Sequence, residues 1–370
     1  MGQKPDKQQP QPSIHDNSQN QITEKYDCLK EKLIQVKQQI HNAQNQDSLF
    51  ISKWGFMLDY NFGIQLGQLI SNQVQLVNLK LDFSINNLQQ EGVRALFENF
   101  KNLNQLQMLI INLQENKLLD EGAAGIAKGI SLCKNLEHLK LDLGFNKISG
   151  EDNIFKPLGN LQNLTFLDLS FEKNTISTKG LKDMASDLSS LFNLMILKLN
   201  FKNNQFSCID GFDTISQLKS LQQLEISFQS NQITVVSLNK WFSDIKNGFN
   251  QLISLDLDFQ GNNFKDILTE QFQLSGLAQI KSLNRLGLSI YHNNLNICQE
   301  ISKLNNIHRL SLTNIKDSLD QNNLFRILSK MVNLRVFEIV LLGNWEHQIF
   351  QNFKDILKAK RLVVIKKYQI

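Results

Sequence analysis

Apolar side chains recur along most of this chain in two alternating patterns. In the first pattern every second residue is apolar, as at Leu79 and Leu81, which predicts a strand with one buried face. In the second, apolar residues follow at spacings of three and four, as at Val93, Leu96 and Phe100, which predicts a helix with one buried face. The chain is therefore predicted to alternate strands with helices.

The strand-type segment occurs in ten copies that share the template L-x-x-L-x-L-x-[FL]-x-x-N-x-[LIF], and successive copies begin 24 to 31 residues apart. The copies begin at Leu76, Leu106, Leu136, Leu164, Leu194, Leu221, Leu252, Leu283, Ile307 and Leu334. One unit buries too little apolar surface to offset the entropy of ordering its roughly 30 residues. The units must therefore stack on each other, with their strands in one parallel sheet.

An asparagine stands near the end of almost every copy, where the chain leaves the strand. Its side-chain amide can both donate to and accept from buried backbone groups. We therefore expect a ladder of structural asparagines rather than a row of ligand-binding residues. The ladder positions are Asn86, Asn116, Asn146, Asn174, Asn204, Asn231, Asn262, Asn293 and Asn344, with Asp317 in the remaining copy.

The template resembles the leucine-rich repeat over about residues 76–370. Leu81, Phe83, Asn86 and Leu88 match the latter half of the consensus L-x-x-L-x-L-x-x-N-x-L. The segments QQEGVRALFENF and LDEGAAGIAKGI are similar to the ribonuclease-inhibitor subtype, whose units carry a full α-helix. The resemblance implies an α/β leucine-rich-repeat solenoid, or horseshoe, with a parallel inner β-sheet and outer helices.

The segments outside the repeat have their own patterns. Residues 1–20 hold three of the four prolines among polar residues, which predicts a disordered tail. Residues 21–45 carry an apolar seam at the coiled-coil period, so this helix either caps the first repeat or forms a coiled coil with another chain. Residues 46–75 are predicted to be an N-terminal cap region, and the closing RLVVIKKYQI a last, truncated strand.

Charge and cysteine content narrow the classes of function. The 39 basic and 35 acidic residues are scattered and form no basic stripe, so we expect no nucleic-acid partner. The four cysteines form no CxxC pair, which favours a reducing compartment. No apolar run approaches the roughly 20 residues of a membrane helix. We therefore expect an intracellular, cytoplasmic protein without membrane insertion.

The motifs of common enzyme classes are missing from the sequence. The six histidines show no metal-ligand spacing, and there is no P-loop, kinase motif set or GxSxG elbow. We therefore expect no enzymatic activity, catalytic residue, metal or cofactor. One alternative comes from the resemblance: the ribonuclease-inhibitor subtype is similar to the Ran GTPase-activating protein, which uses an arginine of an early repeat. Arg94 is the only arginine in the early repeats of this chain.

The outward strand positions are the candidate binding surface. Acidic residues prevail from Glu225 to Asp258, which suits a protein partner with a basic patch. The partner-binding candidates are Lys80, Asp82, Met108, Lys140, Asp142, Phe166, Asp168, Met195, Lys198, Glu225, Asp256, Asp258 and Tyr291. The chain is interpreted as a protein–protein interaction scaffold of unassigned oligomeric state. A third interpretation is an architectural component of a cytoskeletal or other large assembly.

Overall fold

The strands form one open parallel sheet in chain order. The computed structural model describes residues 29–262, 264, 271–290, 297–316, 328 and 330–342. Each strand in this part of the chain pairs only with the strands before and after it. The strands are β1 (Ser48–Ser52), β2 (Asn78–Asp82), β3 (Met108–Asn112), β4 (His138–Asp142), β5 (Phe166–Ser170), β6 (Ile196–Asn200), β7 (Gln223–Ser227), β8 (Ser254–Asp258), β9 (Arg285–Ser289), β10 (Arg309–Lys316) and β11 (Val336–Leu342). The predicted α/β solenoid is confirmed, and all ten predicted copies contribute a strand.

The outer layer combines α-helices with shorter 3-10 helices. The α-helices are α1 (29–42), α2 (Tyr60–Ile70), α3 (Gln89–Glu98), α4 (Leu119–Ile130), α5 (Thr178–Leu188), α6 (Val235–Asp244) and α7 (Ile297–Ile301). The 3-10 helices are Asn99–Asn102, Lys156–Asn160, Phe212–Gln217, Ile245–Asn247 and Leu277–Gln279. None of the described helices is both long and apolar enough to span a membrane.

The expectation of a full α-helix in every unit is wrong for part of the chain. β4 and β5 begin 28 residues apart, and β6 and β7 begin 27 apart, and each pair is connected through a 3-10 helix. β5 and β6 begin 30 residues apart, and α5 fits between them. The shorter connections leave too few residues for a helix of several turns plus the two turns that join it to the strands.

The sheet register aligns the core leucines of successive units. Leu79, Leu109, Leu139, Leu167 and Leu197 are register partners from β2 to β6, and each is fully buried. The predicted common interior of the solenoid is therefore confirmed. Each of these leucines is covered by its neighbours on both sides, so the stability of one unit depends on the next.

A row of phenylalanine rings lies directly behind the strand ends. The ring centroids of Phe171, Phe201, Phe228 and Phe259 are separated by 5.9, 5.8 and 5.5 Å, with successive planes within 17° of parallel. All four side chains are fully buried. Offset stacking of this kind adds about 0.5–1.5 kcal/mol per pair beyond the burial of apolar surface. The row links the units from β5 to β8 through one aromatic core.

The first three outer helices after β1 pack with their backbones in contact. A Cβ atom on Gly63 of α2 would lie 2.5 Å from the carbonyl oxygen of Gly92 in α3. A Cβ atom on Gly129 of α4 would lie 2.4 Å from the carbonyl oxygen of Phe97. Glycine is therefore required at these positions by close helix packing.

The N-terminal end of the solenoid begins before the first recognised copy. Residues 46–75 contain β1 and α2, so the sheet starts one strand earlier than the repeat template indicates. Val36 and Ile40 of α1, and Ala43 in the turn that follows it, pack into the same core, whereas Ile34 is 58% exposed. Val36 and Ile40 of the apolar seam are thus buried within the chain, which favours the interpretation of this helix as a cap. The predicted tail and the closing segment RLVVIKKYQI lie outside the described residues.

The asparagine ladder is confirmed from Asn86 to Asn262. In the central unit, Asn146 Oδ1 accepts hydrogen bonds from the backbone N–H groups of Asn116 and Leu118, at 2.8 and 3.3 Å. Asn146 Nδ2 donates to the carbonyl oxygens of Leu113 and Leu143, at 2.9 and 3.0 Å. Each amide therefore satisfies buried backbone groups of two adjacent units. Asn293, Asp317 and Asn344 lie outside the described residues.

Candidate functional site

The open face of the sheet presents three columns of side chains. The second and fourth residues of β1–β9 are buried, and the first, third and fifth point outward. The first column from β2 to β8 is Asn78, Met108, His138, Phe166, Ile196, Gln223 and Ser254. The third column from β1 to β9 is Phe50, Lys80, Ile110, Lys140, Asp168, Lys198, Glu225, Asp256 and Gly287. The fifth column over the same strands is Ser52, Asp82, Asn112, Asp142, Ser170, Asn200, Ser227, Asp258 and Ser289.

An apolar ridge runs along the first column on four consecutive strands. We define the ridge as Met108, His138, Phe166 and Ile196, all partly exposed. The rings of His138 and Phe166 stack with their centroids 3.9 Å apart and their planes 4° from parallel. Burial lowers the pKa of His138 from its usual value of 6.5, with Asp168 opposing this shift. The imidazole is therefore neutral at pH 7 and suits the apolar ridge.

The third column contains two ion pairs between neighbouring strands. Lys140 Nζ lies 2.7 Å from Asp168 Oδ2, and Lys198 Nζ lies 2.5 Å from Glu225 Oε2. Lys80 instead makes a cation–π contact, in which its ammonium group lies 4.8 Å from the centroid of the Phe50 ring. The structure thus brings together four of the predicted partner-binding residues, but as two neutralised pairs.

Asp256 is the acidic residue of the third column that lacks an ion pair with any described residue. Its carboxylate lies over Gly287 of the next strand, where a Cβ atom would be 2.7 Å from Asp256 Cγ. Burial raises the pKa of Asp256, the neighbouring Glu225 and Asp258 raise it further, and Lys198 opposes the shift. The sheet therefore holds a carboxylate without an ion pair of its own beside two other acids.

The acids of the fifth column serve the turns that follow the strands. Asp82 accepts hydrogen bonds from the backbone N–H and the hydroxyl of Ser84, at 3.2 and 2.8 Å. Asp142 accepts from the N–H of Gly144 at 3.0 Å, and Asp258 from the N–H of residue 260 at 3.0 Å. Burial raises the pKa of Asp142 and Asp258, and these hydrogen bonds oppose the shift. The three predicted binding residues therefore contribute to the local fold.

The third and fifth columns from β4 to β10 line a depression of about 620 Å³. Its charged side chains are Lys140, Asp168, Glu172, Lys198, Lys202, Glu225, Asp256 and Asp258. Each of the three lysines forms one ion pair, the third joining Lys202 to Glu172 at 3.3 Å. Asp256 and Asp258 are left without an ion pair, so the depression carries two excess negative charges.

Two further predicted residues lie elsewhere. Met195 precedes β6 and is 38% exposed, and the position in the apolar ridge belongs to Ile196. Tyr291 lies outside the described residues. The prediction also missed His138 and Ile110 as members of the open face. Counting alternate positions outward from the buried leucines identifies Ile110, His138 and Ile196 correctly.

The described residues show no metal site, and their most buried thiol is Cys133. The described residues contain no group of three or more His, Cys, Asp or Glu side chains placed to hold a metal ion. Cys133 is a buried free thiol, and burial raises its pKa to about 12. Arg94 is an exposed residue of α3, and its side chain lies over Gly125 of α4 in the outer helical layer.

Comparison with known proteins found no similarity that identifies the chain. No protein-family model matches it, and no curated protein sequence matches it. The functional interpretation therefore depends on the geometry of the open face.

Proposed function

We propose that this chain is a leucine-rich-repeat scaffold that binds a protein partner on the concave strand face. The proposal is carried by the open face itself, whose first, third and fifth columns remain accessible across β1–β8. Strands spaced about 4.8 Å apart give an eleven-strand sheet a face about 50 Å long. Such a face accommodates the roughly 800 Å² that one partner buries in a standard interface.

The chemistry of the face supports a protein ligand. Protein interfaces combine buried apolar or aromatic anchors with charged groups around them. The open face offers Phe166 and Ile196 within the apolar ridge, and Glu225 and Asp256 on the strands that follow. An acidic depression does not suit an anionic polymer such as nucleic acid.

The repeat assignment is supported by the consensus match together with the asparagine ladder. We also propose an intracellular, cytoplasmic location, which is supported by the free thiols of Cys133 and Cys208.

Two alternative functions depend on other features. The alternative as a GTPase-activating protein of the Ran type depends on Arg94, which lies in the outer helical layer. An architectural role remains a separate hypothesis, and it predicts many cytoskeletal partners rather than one stoichiometric partner.

Affinity capture from the native cell tests the proposed function. Ile196→Arg combined with Gln223→Arg places two bulky charges on the open face, and Leu132→Arg is the control at an exposed turn after α4. We expect the wild-type chain and the Leu132→Arg variant to capture one stoichiometric protein, and the double variant to lose it. Equal capture by all three chains, each with an unchanged melting curve, would contradict binding on this face.

A further inference from the structure

We propose that the partner enters the open face as an amphipathic α-helix, with apolar side chains on the apolar ridge and a lysine or arginine against Asp256. This inference rests on the proposed function and specifies the chemistry of the partner. It follows from three features of the face: the position of the apolar ridge, the position of the carboxylate that lacks an ion pair, and the absence of free backbone groups on a sheet surface.

The apolar end of the site is the ridge. Met108, His138, Phe166 and Ile196 are first-column neighbours from β3 to β6, and Ile110 lies beside them in the third column. Neighbouring strands are about 4.8 Å apart, so the ridge is about 14 Å long. That length equals about three turns of an α-helix, which rises about 5.4 Å per turn. A stripe of three or four apolar side chains on one helix face therefore covers it.

The charged end of the site follows on β7 and β8. Lys198 forms its ion pair with Glu225 at 2.5 Å and acts on Asp256 only from beyond ion-pair distance. Asp256 has no ion pair with any described residue and lies near Glu225 and Asp258. A cationic side chain from a partner would relieve the repulsion among these three carboxylates. Charge complementarity therefore requires a basic residue about two strands beyond the end of the ridge.

Backbone hydrogen bonding favours a helix over an extended peptide. The strands of this region pair with both neighbours, so the face presents side chains and no free backbone groups. An extended peptide lying on the face would leave its own N–H and C=O groups unpaired, whereas a helix satisfies them internally. Residues three or four apart on a helix rise about 4.5 to 6 Å, which matches the strand spacing, while same-side residues of an extended chain are about 7 Å apart.

A synthetic helical peptide of about 20 residues tests the inference against the full chain. Its first half carries a leucine stripe on one face, and its second half carries lysines on that same face. We expect fluorescence anisotropy to show binding that weakens at least tenfold with Asp256→Lys and with Phe166→Ser. Glu98→Lys, an exposed charge reversal at the end of α3, should leave the Kd within twofold.

A second peptide with glutamates in place of the lysines completes the test. It should bind the Asp256→Lys variant at least tenfold more tightly than it binds the wild-type chain, because the charge match is restored. If the lysine variant fails to fold, Asp256→Asn should narrow the difference in affinity between the two peptides, because it removes the carboxylate without adding a charge. Equal affinity of the two peptides for the wild-type chain would overturn the inference. If that result accompanies partner capture that still depends on Ile196 and Gln223, the proposed function stands and only the helical partner is rejected.

Discussion

At the scale of single residues, the ladder asparagines stabilise a turn whose preceding residue has a left-handed backbone conformation. The residue before each ladder position from Asn86 to Asn262 has positive φ: Ile85 at 56°, Glu115 at 54° and Phe145 at 59° are examples. A left-handed conformation costs a residue other than glycine about 1–2 kcal/mol. The hydrogen bonds of the adjacent asparagine amide offset this cost, so the turn is maintained by the ladder rather than by glycine.

Replacing a central ladder residue should destabilise the fold. Asn146→Ala removes an amide that bonds to backbone groups of adjacent units, and leaves those groups buried without partners. We expect the free energy of unfolding to fall by about 1–3 kcal/mol, measured by chemical denaturation. Asn247→Ala, at an exposed position in a 3-10 helix, is the matched control and should change stability little. Equal stability of both variants would count against the ladder.

Asp187 should give the fold a measurable pH dependence. Burial, and then the neighbouring Asp183, raise the pKa of this carboxyl from 3.8 to about 6. The folded state therefore binds the proton more tightly than the unfolded state. The free energy of unfolding falls as the pH rises from about 4 to about 6, because the buried carboxyl group loses its proton over this range.

The measurement for Asp187 is the difference in unfolding free energy between the wild-type chain and Asp187→Asn. As the pH falls from 7 to 4, the wild-type chain should gain about 1–2 kcal/mol relative to this variant. Taking the difference cancels the titration of all other carboxyl groups. A difference that does not change with pH would show that Asp187 has an ordinary pKa in the folded chain.

A structural role can be predicted from the sequence when the same residue type recurs at one position of the repeat. The ladder was predictable because asparagine recurs at one template position. The left-handed residues were not, because Ile85, Glu115 and Phe145 share no chemical property at that position. The turn-forming role of Asp82 was also missed, since an outward acid looks the same in sequence whether it faces a partner or the N–H of Ser84.

At the scale of elements, sequence predicted the strands better than their connections. Alternating apolar residues locate β2–β11 because burial of one strand face imposes a period of two. The repeat template does not detect β1, because Phe56 stands where a ladder asparagine would be expected. In the structure the backbone N–H of Phe56 donates to Asn86 Oδ1 at 3.1 Å. The segment Phe212–Gln217 is a 3-10 helix, and its short apolar pattern is the same as that of an α-helix.

The capping helix can be tested with two isoleucines of α1. Ile40 is 4% exposed and packs into the core at the first strand, whereas Ile34 is 58% exposed. We expect Ile40→Asp to lower the melting temperature because it buries a charge in the core, and Ile34→Asp to leave it unchanged. Sedimentation should show the same mass for both variants and the wild-type chain. If Ile34→Asp instead dissociates an oligomer, α1 pairs with another chain.

At the scale of the whole molecule, the sheet register decides which outward side chains of adjacent repeats become neighbours on the open face. Once the leucines align, the same register places Lys140 beside Asp168 and Lys198 beside Glu225. The repeat spacing already implies these pairings, because residues at the same template position of adjacent units become neighbours in the sheet. The isolation of Asp256 depends on Gly287 and on side-chain geometry, which the repeat pattern does not contain.

Photo-cross-linking in the native cell tests the central claim most directly. A photoreactive amino acid at Ile196 samples the open face of the sheet, and the same group at Leu132 samples an exposed turn in the outer layer. We predict a covalent adduct with one protein partner from position 196 and none of that adduct from position 132. An adduct formed from position 132 but not from position 196 would contradict binding on the concave face.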